Sequence, residues 1–173
     1  MKSVITRKTD NNCLLLNERL VDKILSLSDQ QILKQTHFFE GRYENIYVDI
    51  DTVSELKTLI NQAKQYASEI LDKDIATLKI GFWINIMQQG HTTSLHCHED
   101  ADELLSGVYY VKVPENSGQF IYHLDREKHS LDPEEGSFLF FSPSLLHEVT
   151  EHQSEQPRIS VAFNIGLLES DEE

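Results

Sequence analysis

Two histidines separated by one residue, His96 and His98, are the side chains whose types and spacing first suggest chemistry. In a β-strand, residues two positions apart point to the same side of the sheet, with their α-carbons about 7 Å apart. Two imidazoles at that separation can reach one metal ion. Cys97 would then point the other way, as a buried neutral thiol. Because the chain contains eight histidines, this pair alone does not establish a metal site.

A second segment, which begins about fifty residues further along, adds a third histidine and an arginine. His147 alone could equally be a strand-edge imidazole bonded to a backbone carbonyl. Arg158 follows at a distance that lets one strand end, turn and return beside its neighbour. Ser160 shares the face of Arg158, and a guanidinium with a hydroxyl on one sheet face can bind a carboxylate. The alternative is a surface Arg–Glu pair on a solvated strand.

Taken together, the two segments predict a metal held by His96, His98 and His147, with Arg158 and Ser160 close by. A metal held on one face leaves its opposite positions open for substrate and oxygen. An arginine can grip an anionic ligand through two parallel hydrogen bonds. The pattern therefore indicates oxygen chemistry at an iron, with a carboxylate cosubstrate, rather than a structural metal.

Charge and composition exclude several classes of protein. Acidic residues outnumber basic ones 29 to 15 in a chain of 173 residues, which gives a net charge of −14. Contacts with a nucleic-acid backbone or an anionic membrane need Lys and Arg, so neither partner is expected. Two cysteines are too few for a disulfide framework, and no apolar leader or bilayer-length segment is seen. We expect a soluble cytoplasmic protein, and a homodimer is compatible with the sequence.

Short β-rich runs in the second half of the chain are the elements that must position these side chains. Turn signals separate seven or eight of them. They are placed at about 78–87, 92–97, 106–113, 118–124, 127–131, 137–142, 146–151 and 157–165. Antiparallel strands after helices favour a double-stranded β-helix, the jelly roll also called cupin. The predicted fold is mainly β, with a jelly-roll core buttressed by N-terminal helices.

Apolar residues at helical spacing in the first half predict the supporting helices. A long amphipathic helix is predicted from Val53 to Leu71, with Thr52 and Glu55 as a capping box at its start. A shorter helix is predicted over Asn17–Leu27, and a strand over Ile46–Ile50. We expect one domain, with a helical lead-in over 1–77, a catalytic core over 78–165 and an acidic tail over 166–173.

Alternation along the core strands predicts which side chains line the pocket. Trp83, Asn85 and Met87 share one side of the first core strand, and Asn85 is a candidate ligand for the cosubstrate. Tyr109 or Tyr110 could donate a phenolic hydrogen bond to it. Only one of the two can face inward, and alternation does not decide which. We take Tyr110 as the candidate hydrogen-bond donor.

Three segments in order along the chain resemble a known family, the small 2-oxoglutarate/Fe(II)-dependent oxygenases. They run from Ser106 to Val111, from Phe140 to Val149 and from Arg158 to Asn164, and the resemblance covers about residues 82–165. It implies a jelly-roll core, iron bound by an H-x-D/E pair and a distal histidine, and 2-oxoglutarate held by an arginine in an R-x-S pattern. On this resemblance His96, His147, Arg158 and Ser160 take those roles.

His98 departs from the family pattern, because it stands where a carboxylate is usual. A site of three histidines lacks the negative charge of that ligand and leaves the iron more electrophilic. Glu99 or Asp100 could substitute if the chain turns there. In an extended strand Glu99 faces away from His96, and Asp100 lies about 13 Å from it. We favour His98 as the third ligand.

The resemblance implies an enzyme, an Fe(II)- and 2-oxoglutarate-dependent dioxygenase. As a hydroxylase it would couple oxidative decarboxylation of 2-oxoglutarate to succinate with oxidation of a substrate C–H bond. The substrate is unknown and could be a small molecule, a peptidyl side chain or a nucleotide. The acidic run Glu99 to Glu103 could select a cationic substrate group or could be a solvated loop. Two alternatives remain, a three-His cupin metalloenzyme that uses no 2-oxoglutarate and a cupin-like binding module without catalysis.

Overall fold

Strands dominate the fold. The computed structural model describes residues 4–10, 12–98 and 102–168, in which the chain forms eleven strands and two α-helices. The strands are β1 (Ile5–Thr9), β2 (Ile32–Phe39), β3 (Arg42–Val48), β4 (Leu78–Met87), β5 (Thr93–His96), β6 (Glu103–Lys112), β7 (Phe120–Leu124), β8 (Glu127–Leu131), β9 (Ser137–Phe141), β10 (His147–Val149) and β11 (Arg158–Leu167). The helices are α1 (Leu14–Leu25) and α2 (Glu55–Leu71), with short 3₁₀ turns at Asp29–Gln31 and Ile75–Thr77. The mainly β prediction is confirmed.

Two antiparallel sheets form the framework. The larger has seven strands in the order β1-β9-β6-β11-β4-β3-β2, and the smaller has four in the order β5-β10-β7-β8. The eight strands predicted in the second half of the chain are all present, with ends that differ by a few residues. β11 lies between β4 and β6 and pairs with β4 from Arg158 opposite Met87 to Leu167 opposite Leu78. This long register fixes which face each β11 side chain occupies.

The main hydrophobic core lies between the larger sheet and the helices. Alternate residues of β11, Val161, Phe163 and Ile165, are fully buried there. The helices bury one stripe each against the same face, at helical spacing. The buried residues of that stripe are Leu20 and Ile24 in α1, and Leu56, Leu59, Ile60, Ala63 and Ala67 in α2.

Both predicted helices are confirmed, but the predicted capping box of α2 is wrong. The helix begins at Glu55 and its N-cap is Ser54, whose backbone is already helical. The Ser54 hydroxyl donates to the Glu55 carboxylate instead of capping a backbone N–H. The long helix therefore depends on packing of its apolar stripe rather than on a local cap.

The first 77 residues contain more strand than the sequence predicts. β3 overlaps the predicted strand at 46–50, but β1 and β2 were not foreseen. β1 pairs with β9 and β2 pairs with β3, so each depends on a partner that local sequence does not reveal. Both are edge strands with partly exposed side chains. β1 is mainly polar, and the apolar residues of β2 stand in adjacent pairs at its two ends, so neither strand shows a clear alternation. The acidic residues 169–173 lie outside the described residues.

Among the described residues, no helix combines the length and apolar character needed to cross a membrane.

Two matched leucine substitutions test the packing of α2. Leu59 is 1% exposed and Leu33, on the edge strand β2, is 69% exposed. Leu59→Ala should lower the free energy of unfolding by about 2–5 kcal/mol, because it removes buried methyl groups and leaves a cavity. Leu33→Ala should change it by less than about 0.5 kcal/mol. Urea denaturation measures both, and equal effects would contradict this packing.

Candidate functional site

A cavity of about 460 Å³ is lined by both sheets. The larger sheet contributes alternate residues from three neighbouring strands. They include Gly81, Trp83, Asn85 and Met87 of β4, Val108 and Tyr110 of β6, and Arg158, Ser160, Ala162 and Asn164 of β11. The predicted inward face of β4 therefore lines the cavity, as does the polar face of β11. The smaller sheet contributes His96 from β5 and His147 from β10.

Three imidazoles meet in this cavity. One ligand nitrogen from each of His96, His98 and His147 lies within 4.8 Å of the other two. His96 and His147 lie directly opposite each other in the β5–β10 pair. The backbone N–H of His98 donates to the carbonyl of Pro143 at 2.8 Å, which fixes the chain just beyond β5. These three donors could hold a metal ion on one face.

Backbone carbonyls orient two of the rings. The Nδ1 of His96 lies 2.7 Å from the Ser94 carbonyl, and the Nδ1 of His147 lies 2.8 Å from the Leu145 carbonyl. A carbonyl only accepts, so Nδ1 carries the proton in both rings and Nε2 keeps a free lone pair. A metal-binding histidine usually has such a partner on its other nitrogen.

Burial keeps two of these imidazoles neutral. His147 stacks on Phe120 at 5.3 Å between ring centroids, and burial lowers its pKa to about 3. The His98 ring lies 5.6 Å from that of Trp83, and burial lowers its pKa to about 4. The positive charge that the neighbouring His96 can carry also contributes to the lowering of both pKa values. Because a metal binds the neutral ring, these side chains fit an iron site at neutral pH.

The predicted cosubstrate residues cluster around Arg158. Its side chain is almost fully buried, and its Nη1 donates to the Gly118 carbonyl. Its guanidinium carbon lies 5.2 Å from the centroid of the Tyr110 ring. Ser160 lies one inward position further along β11, opposite both Asn85 and Tyr110 in the sheet.

Two buried donors at this end have no hydrogen-bond partner among the described residues. They are the Nε of Arg158 and the hydroxyl of Tyr110. Burial raises the pKa of Tyr110, so its hydroxyl keeps its proton. A buried donor without an acceptor costs free energy, and a carboxylate could satisfy both. This end of the cavity therefore fits one carboxylate of 2-oxoglutarate.

The structure decides some of the alternatives that the sequence left open. Tyr110 lines the cavity, whereas Tyr109 lies in the opposite core and donates to Asn17 Oδ1 at 2.8 Å. Asn85 lines the cavity, but its amide nitrogen donates to the Glu44 carbonyl at 2.6 Å and to Asn45. The alternative ligands Glu99 and Asp100 lie outside the described residues.

Sequence reasoning missed part of the cavity wall. Asn45 and Tyr47 of β3 line it, and so does His37. Glu103, which the sequence singled out only as a member of an acidic run, lines it as well. On β3 the signal was available, because Ile46 between the two packs towards the helices. The positions of His37 and Glu103 depend on strand pairing, and no local pattern reveals it.

The chain matches one family model. The family described as "Putative 2OG-Fe(II) oxygenase" matches residues 81–130 and 122–164. No match was found among curated proteins.

Solved structures with similar folds include three hydroxylases. A prolyl-4-hydroxylase from Pseudomonas putida has a TM-score of 0.74 at 14% identity, over 97% of this chain and 95% of that one. A Trichoplax adhaerens prolyl hydroxylase, in complex with a hypoxia inducible factor peptide fragment, has a TM-score of 0.71 at 12% identity, over 95% of this chain and 84% of that one. A viral collagen prolyl hydroxylase from Paramecium Bursaria Chlorella virus-1, in a 2OG complex, has a TM-score of 0.63 at 15% identity, over 97% of this chain and 98% of that one. At these identities the likeness concerns the fold, and it confirms the predicted jelly-roll core.

Acidification should destabilise the metal-free protein through His98 and His147. Their folded-state pKa values of about 4 and about 3 lie below the value of about 6.5 for an exposed imidazole. Below that value the unfolded chain binds more protons than the folded chain. The free energy of unfolding should therefore fall as the pH drops from about 6.5 towards 4. Urea denaturation across this range measures the fall, which should be smaller in His98→Asn. An equal fall in parent and variant would contradict the assignment.

Proposed function

We propose, given that this chain belongs to the 2-oxoglutarate/Fe(II) oxygenase family, that it is a hydroxylase with iron held by His96, His98 and His147. Arg158 binds the distal carboxylate of 2-oxoglutarate. The observation that carries the proposal is the convergence of three imidazole nitrogens in one cavity that also contains a buried arginine. Fe(II) and 2-oxoglutarate are the cofactor and cosubstrate of this family.

When bound, these two groups supply the oxidising chemistry, in which O₂ and 2-oxoglutarate give succinate and CO₂ and one oxygen atom enters a substrate C–H bond. The chain contributes binding, orientation and the exclusion of water. The carbonyls of Ser94 and Leu145 hold two of the rings in the tautomer that presents Nε2. Two of the three ligands are therefore oriented before the metal arrives, which limits the cost of ordering them.

At the other end, the chain stabilises a negative charge. The Arg158 guanidinium is positive, and its Nε and the Tyr110 hydroxyl are the donors that a carboxylate would engage. Ser160 adds a hydroxyl on the same side of β11. Charge-assisted hydrogen bonds in a cavity shielded from water are stronger than the same bonds in solvent. Binding also satisfies donors that are otherwise unpaired in the described part of the chain.

The cavity walls keep the reacting groups dry. Phe120 and Phe141 pack on His147, and Met87 and Trp83 are buried beside the site. Apolar walls exclude water that would otherwise solvate the bound charges. The substrate is a small molecule or a peptidyl side chain. The Trichoplax prolyl hydroxylase, which is described with a bound peptide fragment, supports the second class.

Anaerobic Fe(II) titration with and without 2-oxoglutarate tests the proposal. We expect a visible absorption band from the iron chelate only when both are present, and oxygen-dependent release of succinate afterwards. A three-His enzyme that uses no 2-oxoglutarate would bind iron without this band. A binding module would release no succinate although iron is bound.

Arg158→Lys should weaken 2-oxoglutarate binding about tenfold or more, because an ammonium cannot reproduce the two-pronged geometry of the guanidinium. Iron binding should be almost unchanged. Arg19→Lys, on the exposed face of α1, is the matched control and should bind 2-oxoglutarate like the parent. Titration of the absorption band gives both affinities. Equal affinities in the two variants would remove Arg158 from the cosubstrate site.

His98→Ala should lose iron affinity about as much as His96→Ala, because each removes one of three ligands. Glu99→Gln and Asp100→Asn should change it little. His98→Asp keeps a ligand atom on the same side and should retain iron, because a carboxylate is also an iron ligand. Iron titration measures all five variants, and full affinity in His98→Ala would refute the three-histidine site.

A further inference from the structure

We propose that the end of the cavity remote from Arg158 is a substrate subsite for a cationic nitrogen group, with Glu103 as its counter-charge. The group is an ammonium or a guanidinium. This inference rests on the proposed function, because it names the substrate class of the same cavity.

The cavity has two ends of opposite character along β11. Its inward positions Arg158, Ser160, Ala162 and Asn164 are two residues apart, so Arg158 and Asn164 are separated by roughly 20 Å along the strand. Ala162 lies opposite Trp83, whose ring is 5.6 Å from that of His98. The histidines therefore lie between the two ends. A cosubstrate held at Arg158 leaves the Asn164 end for the substrate.

A hydrogen-bonded chain fixes a carboxylate at the Asn164 end. The buried Ser106 hydroxyl donates to Asn164 Oδ1 at 2.8 Å, and Asn164 Nδ2 donates to Glu103 Oε1 at 2.5 Å. A carboxylate only accepts, so these contacts determine the orientation of the Asn164 amide. Glu103 is thereby held in the wall that faces the cavity. Asn164 and Ser106 act as positioning residues.

The same end is open and has an aromatic wall. Gly81 lies opposite Asn164 in the sheet, and a Cβ at Gly81 would meet nothing within 4 Å. Tyr47 and Trp83 line the cavity nearby, with ring centroids 6.2 Å apart and planes tilted by 38°. The faces of aromatic rings attract cations. Lys34 Nζ already lies over the Tyr47 ring, 5.6 Å from its centroid, so Trp83 is the ring that this wall offers to a substrate cation. Trp83 with a fixed carboxylate is suited to an ammonium or guanidinium group, and the open side admits one.

Charge complementarity points to the same class of substrate. The doubly negative cosubstrate is matched to the arginine end, so a negative substrate would meet Glu103 at the other end and be repelled. The net charge of −14 also attracts cations to the surface from a distance. A free amine or guanidine compound and a Lys or Arg side chain in a peptide offer the same group.

Calorimetric titration of the anaerobic protein, loaded with Fe(II) and 2-oxoglutarate, tests the subsite without turnover. The probes are charged and neutral pairs of similar shape, L-arginine with L-citrulline and L-lysine with L-norleucine. A second arm uses short capped peptides that carry the same four side chains. We expect the charged member to bind at least about tenfold more tightly in one arm, and that arm identifies the source of the group.

Glu103→Gln should abolish this preference, since it removes the charge but keeps an oxygen for Asn164. Asp102→Asn is the matched control, because the Asp102 side chain is 61% exposed and pairs with Lys79. It removes one negative charge next to Glu103 and should keep the preference. Glu103→Asp shortens the side chain by one methylene, so it should weaken binding of the charged probes only. This variant replaces Glu103→Gln if Glu103→Gln does not fold.

Equal binding of charged and neutral probes by the parent would overturn the inference. So would an equal effect of Glu103→Gln and Asp102→Asn. The absorption band of the same loaded sample distinguishes a failure of the subsite from a failure of the proposed function. A band without charge preference refutes the cationic subsite alone, and the absence of the band refutes the proposed function.

Discussion

The strict alternation of side chains along β11 is the constraint on which both the core and the cavity depend. Val161, Phe163 and Ile165 fill the dry space under the helices, and the intervening residues face the cavity. A slip of one residue would turn Phe163 towards the cavity, which would lose buried apolar area. It would also place Arg158 in the hydrophobic core, where its charge would be unpaired. Such a slip would also break the pairing of ten β11 residues with β4, so it is energetically unfavourable. On its other side β11 has register shifts against β6 at Ile159/Ser160 and Ile165/Gly166. These irregularities flank Ser160 and Asn164, and such irregularities can change the direction of a side chain.

The histidine cluster depends on a second constraint, the pairing of two short strands in the smaller sheet. β5 and β10 have four and three residues, yet they place His96 directly opposite His147. Side chains opposite each other in an antiparallel pair are near neighbours, so pairing alone brings two of the proposed ligands together. The third, His98, lies beyond β5, where its backbone N–H bonds to Pro143. Aromatic packing on His147 then makes a charged ring costly and keeps it available as a ligand.

Local sequence predicted those parts of the fold that depend on local patterns. The β-strands of the core and the two helices carry clear periodicity, and the inward faces of β4 and β11 follow from it. The edge strands β1 and β2 were missed because their stability comes from pairing with β9 and β3, and their own residues show no clear alternation. The choice between Tyr109 and Tyr110 was also beyond alternation, which says that neighbours face opposite ways but not which side is the core. Glu103 was part of an acidic run in sequence, and only its hydrogen bond to Asn164 distinguishes it from a solvated residue.

The departure at His98 and the carboxylate at Glu103 are connected through the charge of the cavity. Three neutral imidazoles leave both positive charges of Fe(II) uncompensated, and Arg158 adds a third. A doubly negative 2-oxoglutarate balances two of these, so one positive charge would remain in a space largely closed to water. A buried net charge is costly unless an opposite charge lies near it. In the family pattern the carboxylate ligand supplies that charge within the metal site. In this chain Glu103 lies in the wall of the same cavity and supplies it from the substrate side. Glu103 is level with Gly166 and Lys79, four residues along the sheet from the level of Trp83. The negative charge that the family pattern places on the metal is thereby moved to the wall on the substrate side, where the hydrogen bond from Asn164 holds it.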